Sequence, residues 1–256
     1  MQSWALVTGA TAGIGESFTR LLAENGYNIV LVARDLPRLQ ERAAALETKF
    51  AISTKVIQAD LSTDEGCASI ESLITNNQID VLINNAGFGI NKAFTVSQLD
   101  AEQQLLDVLV RTPMRLMHSA LPAMKERNKG VIINVSSVAG WIAGGTYSAS
   151  KSYLTVLSES LHTELASTKV KVCALCPGFT RTEFHQRGRM SMKGLPTFMW
   201  LNADKLVATA WKDAVAGKAL SVPGWQYQIL TFVMRYAPRS LVRTIGMNVR
   251  VKQRNK

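Results

Sequence analysis

The stretch Ala5-Leu-Val-Thr-Gly-Ala-Thr-Ala-Gly-Ile-Gly15 runs directly into Glu16-Ser-Phe-Thr-Arg-Leu-Leu-Ala-Glu-Asn25. A short apolar run, a turn of small residues and a helical pattern follow one another without a break, which predicts a strand, a tight turn and a helix. Small residues let a backbone approach a pyrophosphate closely, and the N-terminus of the helix then holds its charge. Gly9, Gly13 and Gly15 are spaced G-x-x-x-G-x-G, which departs from the commoner G-x-G-x-x-G. Glycine serves any close strand-to-helix turn, but a strand before and a helix after favour nucleotide binding.

Outward from that turn the alternation continues. Apolar runs at Asn28–Ala33, Thr54–Gln58, Asp80–Asn84, Gly130–Val135 and Val170–Cys176 are separated by helical stretches, the longest around Ala101 to Met124. Runs that are apolar without alternation suit strands covered on both faces. Strand and helix in succession therefore predict a doubly wound parallel sheet, a three-layer α/β/α single domain. Gly26 and Gly130, each just before a strand, sit where helix C-caps are expected. With 256 residues, 47% apolar and 19% charged, the chain can bury a sizeable core and is excluded from intrinsic disorder.

The net charge of +10 is uneven. Up to Val170 there are 14 basic and 16 acidic residues, whereas Lys171 to Lys256 carries 15 basic and 3 acidic. Three cysteines, Cys67, Cys173 and Cys176, are too few for a disulfide framework and point to a reducing, cytoplasmic setting. Cys173 and Cys176 lie three apart on a strand pattern and so face opposite sides, which argues against a metal or disulfide pair. No run is long and apolar enough to span a membrane, and the start lacks the basic region of a signal peptide.

The end of the second strand bears on the cofactor. A carboxylate there bonds the ribose 2′-hydroxyl of NAD, whereas an arginine holds the 2′-phosphate of NADP. The chain reads Val32-Ala-Arg-Asp35. Arg34 favours NADP(H), and Asp35 keeps NAD(H) open. Asp60, after the third strand, either accepts from an adenine amino group or caps the helix that follows.

Further on, Asn134-Val-Ser-Ser137 ends a strand, and ten residues past Ser137 comes Tyr147-Ser-Ala-Ser-Lys151. Tyr147 and Lys151, four apart on a helix, share a face. An ammonium beside a phenol favours the phenolate, which makes the tyrosine a usable general acid/base near neutral pH. Ser137 can then bond a carbonyl or alcohol oxygen.

These motifs, with Asn84-Asn-Ala-Gly87 and Pro177-Gly-Phe-Thr-Arg-Thr182 in the same order, resemble the short-chain dehydrogenase/reductase family over about residues 3 to 183. The resemblance implies a seven-stranded Rossmann sheet and hydride transfer between NAD(P) and a carbonyl or alcohol carbon. It implies that Gly9, Thr11, Gly13, Ile14, Gly15, Arg34, Asp60 and Leu61 contact the cofactor. Asn85, Ala86 and Gly87 line its adenosine side, and Pro177, Gly178, Thr180 and Thr182 face the nicotinamide. Ser137, Tyr147 and Lys151 are the catalytic set, with Tyr147 and Lys151 also touching the cofactor. The run Cys176–Phe184 and the Ala33-Arg34 ending resemble the NADP-preferring branch, whose members reduce ketones, oxoacyl groups or sterols. The rival reading is a catalytically impaired nucleotide-binding or membrane-associated protein on the same scaffold.

Two departures stand out. The family's fourth catalytic residue is an asparagine in a segment like Asp-Val-Asn-Val, and here Asp107-Val-Leu-Val110 puts Leu109 in its place. In the family that position's carbonyl, freed by a helix distortion, holds a relay water. Pro113 lies four residues later and has no N–H to give the Leu109 carbonyl, so it can supply the distortion. The segment between Ser137 and Tyr147 is also short, with Gly144-Gly145 easing the path and Trp141 and Ile142 facing the substrate pocket.

Residues 1–224 are therefore read as the catalytic domain. Its substrate lid spans 183–200 and contains Phe184, His185, Met190, Met192, Leu195, Phe198, Met199 and Trp200, a set suited to an apolar carbonyl substrate. Residues 225–256 read as a basic amphipathic extension, with Arg235, Arg239 and Arg243 recurring every four residues on one face and Leu241, Val242 and Ile245 elsewhere. Such a segment suits a peripheral membrane contact, a partner subunit or a solvated face over a core-packed helix. A homodimer or homotetramer is expected, and nucleic acid is not, because the tail carries no recognised module.

Overall fold

A computed structural model of the chain describes residues 3–188, 194–244 and 246. Its sheet is seven-stranded and parallel, with β1 (Trp4–Thr8), β2 (Asn28–Ala33), β3 (Thr54–Gln58), β4 (Val81–Asn84), β5 (Gly130–Val135), β6 (Val170–Leu175) and β7 (Leu220–Ser221). The order is β3-β2-β1-β4-β5-β6-β7, so the winding reverses between β1 and β4. Successive residues of β1 feed two separate cores. Ala5 and Val7 pack with helices α1 (Gly13–Glu24), α2 (Leu36–Phe50) and α8 (Ala203–Val215). Leu6 packs on the other side with α3 (Asp64–Asn76), α5 (Thr112–Glu126) and α6 (Thr146–Glu164). That two-sided burial is why the strands read as unbroken apolar runs.

The helix ends follow local chemistry. Asp35 caps α2 by accepting from Arg38 N, Thr63 caps α3 through Gly66 N, and Asn202 caps α8 through Lys205 N. Thr63, not Asp60, is thus the cap ahead of α3, and Asp60 instead turns back onto the Ser62 amide and hydroxyl. Gly26 takes the left-handed conformation after α1 as expected, at φ +80°. Gly130 does not. Asn128 takes that role after α5 at φ +50°, and Gly130 is the first residue of β5, where a Cβ would run into Met124.

The predicted long helix is α4 (Leu99–Leu106) and α5 joined by one π-helical stretch, Asp107–Arg111. The tail is not one helix either. The helix α9 (Trp225–Tyr236) stops at Ala237, whose extended ψ of 147° is what the following Pro238 requires. Arg235 therefore belongs to α9, while Arg239 and Arg243 lie on the helical residues after the break, and Ile245 lies outside the described residues. Between α6 and α8 the chain carries the short helix α7 (Phe184–Arg187).

Candidate active site

The site lies at the carboxyl ends of the paired strands β1 and β4, where the strand order reverses. Gly9 and Gly13 hold positive φ, +66° and +58°, and a Cβ on Gly13 would come within 2.9 Å of Thr182. Gly9 and Ala10 donate their amides to Val32 O, tying the turn to the end of β2. Across the crevice, Asn85 Nδ2 donates to Thr8 O at 2.9 Å and Gly9 O at 3.2 Å. Thr8 Oγ1 accepts from the amides of Asn85 and Ala86, both at 3.0 Å. Thr11 is buried behind the turn, and α1 starts at Gly13 with Ala12 as a cap that has no side chain to offer its first N–H groups. Uncapped amides under a glycine cradle fit a dinucleotide pyrophosphate.

At the end of β2, where the sequence places the adenosine end of a cofactor, Arg34 is 74% exposed and faces Asp60 Oδ2 at 4.0 Å. The Asp35 carboxylate is held by the α2 cap. Burial pushes the Asp60 carboxyl up, but the Ser62 amide and hydroxyl and the Arg34 charge outweigh it and hold it below the usual range. Leu61 turns its side chain into the core, and its carbonyl accepts from Thr112 Oγ1 at 2.7 Å.

The three residues expected to be catalytic lie around the end of β5. Ser137 caps a 3-10 turn, Val138–Trp141, its Oγ accepting from Ala139 N at 3.1 Å and lying 3.5 Å from Pro177 O. Gly145, at φ +80°, starts α6 and brings Tyr147 around after the short connection. Lys151 Nζ lies 5.7 Å from the centre of the Tyr147 ring and donates to Val135 O at 2.6 Å. Only 4% of Lys151 is exposed, and burial brings its ammonium down from 10.5 to about 8. Ser136 anchors the same turn of α6, its Oγ donating to Lys151 O at 2.7 Å.

Leu109 is buried within the π-helical stretch and its Cδ2 crowds Gly87. Thr112 N bonds Asp107 O five residues back, and Pro113 has no N–H to offer Leu109. A cavity of about 10 Å³, close to the room one water needs, is lined by Leu109, Pro113, Asn84 and Lys151 among others. Asn84 Oδ1 is buried there with no hydrogen-bond partner among the described residues, while its Nδ2 donates to Asn134 Oδ1.

The profile of the family described as short chain dehydrogenase matches residues 3–192. The chain belongs to this family. Membership makes it an oxidoreductase of the carbonyl–alcohol couple. It is 34% identical over 187 residues to a very-long-chain 3-oxoacyl-CoA reductase of Rattus norvegicus, across 70% of this chain and 60% of that protein. It is 29% identical to a very-long-chain 3-oxoacyl-CoA reductase-like protein of Arabidopsis thaliana, across 99% of this chain and 83% of that one. Among solved structures, a short-chain dehydrogenase from Sphingobium yanoikuyae in complex with NADPH superposes with a TM-score of 0.83 at 28% identity, covering 91% of this chain and 93% of that one. A bulky-bulky ketone specific alcohol dehydrogenase from Comamonas testosteroni gives 0.79 at 28% identity, covering 93% and 96%.

In this short-chain dehydrogenase, the C-terminal side of the site is buttressed by a tyrosine. Tyr227 of α9 is fully buried, its hydroxyl accepting from Phe179 N at 2.9 Å and donating to Met199 O at 2.5 Å. Its ring fills the space where a side chain on Gly178 would go. The segment 177–182 is thus clamped between Tyr227 on one side and Gly13 on the other. Thr180 Oγ1 donates to Gly178 O, and Thr182 Oγ1 accepts from Phe184 N. The segment expected to form the lid begins with Glu183, which Arg38 grips with both terminal guanidinium nitrogens at 2.9 and 3.2 Å, holding its carboxyl down to about 2. Phe184 places its ring 6.0 Å from that of Tyr147, and Trp200 packs by Phe179. Met190 and Met192 lie outside the described residues, as does the His185 side chain.

Sequence reasoning brought Ser137, Tyr147, Lys151, Leu109 and the glycine turn to one crevice, but missed Thr8, Asn84 and Tyr227. Thr8 and Asn84 stood inside quoted motifs, with only their neighbours taken as functional. Tyr227 had no spacing to mark it.

Proposed function

We propose that the protein is an NADP(H)-dependent reductase of an extended apolar ketone, with a 3-oxoacyl thioester as the leading substrate class. The observation that carries this reading is the meeting of Ser137, Tyr147 and buried Lys151 at the mouth of a glycine cradle, under a lid led by aromatic side chains. The relatives named for 3-oxoacyl-CoA reduction and the bulky-ketone dehydrogenase support the substrate class. Exposed Arg34, next to an Asp35 already engaged as a helix cap, supports NADP(H) over NAD(H).

The nicotinamide, when bound, supplies the hydride to the carbonyl carbon. Ser137 Oγ donates to the carbonyl oxygen and fixes its orientation. Tyr147 gives its phenolic proton to that oxygen as charge develops there. Lys151, held on Val135 O, stabilises the phenolate left behind. Asn84 Oδ1 and the Leu109 carbonyl, which Pro113 deprives of a donor, offer acceptors to a water that returns a proton through Lys151.

The test is NADPH and NADH consumption with 3-oxoacyl thioesters of increasing chain length, alongside steroid and small ketones. Turnover is expected to rise with chain length and to favour NADPH, and Tyr147→Phe to lower kcat by about 10²- to 10⁴-fold. Replacing Arg34 with Leu is expected to weaken NADPH and leave NADH unaffected. Cofactor binding without turnover in the wild type would overturn the reading in favour of a nucleotide-binding protein without catalysis.

A further inference from the structure

The inner face of α9, Tyr227, Thr231 and Met234, is buried against the site. Its outer face should be polar and is not. Trp225, Ile229, Phe232, Val233 and Tyr236 are 52–70% exposed, at the i, i+4, i+7, i+8 and i+11 positions of one stripe. Phe198 of the lid, 62% exposed, sits beside it, its carbonyl accepting from Gln226 Nε2 at 3.0 Å. An apolar stripe of this kind marks an interaction surface.

Charge decides what covers it. Arg235 is exposed at the end of α9, Arg239 and Arg243 are exposed on the helical residues that follow Pro238, and from residue 235 onward the sequence holds seven basic residues and no acid. The three acids after Lys171 are engaged elsewhere, Glu183 with Arg38 and Arg187, Asp204 with Arg20, and Asp213 with Lys218. A second copy meeting this face about a two-fold axis would bring cations against cations. No helix among the described residues is long and apolar enough to cross a membrane. An aromatic-aliphatic stripe bordered by arginines matches a helix lying in the headgroup layer of an anionic bilayer.

We propose that α9 docks the protein onto anionic lipid, its outer stripe inserted and its arginines on the headgroups. Because α9 holds Met199 through Tyr227 and Phe198 through Gln226, docking brings the segment around Phe198 to the bilayer surface. For an acyl substrate, a consequence that rests on the reductase reading, entry from the lipid phase follows.

The test is co-sedimentation of the full chain with phosphatidylcholine vesicles, with and without phosphatidylserine, in the absence of substrate and cofactor. It therefore stands or falls separately from the reductase reading. The wild type is expected to bind the phosphatidylserine vesicles and to be released by salt. The double variant Ile229→Gln, Phe232→Gln is expected to bind about tenfold more weakly with soluble-ketone turnover unchanged. The double variant Arg239→Gln, Arg243→Gln is expected to lose the preference for phosphatidylserine. Absence of wild-type binding overturns the proposal, as does undiminished binding by both variants. So does a wild-type dimer in light scattering that Ile229→Gln, Phe232→Gln converts to a monomer without any vesicle binding, which would assign the stripe to a second copy.

Discussion

Lys151 carries an ammonium into a place almost without water. At neutral pH the folded protein holds that charge buried, whereas the unfolded chain holds it solvated, and lowering from 10.5 to about 8 makes the difference roughly 3 kcal/mol against the fold. The sign follows from proton counts. Between about pH 8 and 10.5 the unfolded chain binds the proton that the folded one has lost, so this contribution to stability improves as pH rises. Lys151→Met removes the penalty. Its advantage over the wild type, measured by urea denaturation of the cofactor-free protein, is expected to be largest below pH 8 and to shrink by about 3 kcal/mol by pH 10.5. Parallel curves would show that the ammonium is solvated. The Tyr147–Lys151 pair was legible in sequence because helical spacing alone sets its face. The balance between Arg34 and Asp35 was not, because an aspartate serves equally as a ribose ligand or as a helix cap, and only the backbone turn onto Arg38 N tells which role it has taken.

At the scale of elements, the π-helical stretch Asp107–Arg111 shows what a proline can and cannot announce. The missing N–H four residues after Leu109 could be counted from sequence. That the chain absorbs it as a wider turn is a packing outcome, fixed by Leu109 against Gly87 and by Arg111, whose guanidinium reaches Asp64 and Asp107. Pro113→Ala restores a donor for the Leu109 carbonyl and regularises the helix. The expected result is a fold at least as stable as the wild type, with kcat reduced about tenfold and little change in KM for NADPH. Unchanged kcat in a folded variant would mean that the carbonyl takes no part in returning the proton. The misplaced cap at Gly130 has the same origin. Glycine before a strand signals either a left-handed turn or a close approach, and the Met124 side chain made it the second.

For the whole molecule, period and composition were enough to give a doubly wound sheet, since every inner strand is buried on both faces and says so in its residues. How the basic C-terminal part seats on that sheet was not legible, because it depends on a single phenol far from any motif. Tyr227 joins α9, the loop at Phe179 and the lid at Met199 through one oxygen, and burial pushes its ionisation up to about 12, so it stays a neutral donor across the working range. Tyr227→Phe keeps the ring that fills the space beside Gly178 but takes a partner from the part-buried Phe179 amide and Met199 carbonyl, a cost of about 2 kcal/mol. A drop of about 6 °C in thermal midpoint is expected for a domain of this size. If α9 also holds the loop proposed to face the nicotinamide, kcat must fall with it, while the affinity for NADPH, proposed to be set at Arg34 at the end of β2, stays as it was. A variant that lost stability but kept kcat would confine Tyr227 to packing, and the C-terminal surface would then have no mechanical connection to the chemistry.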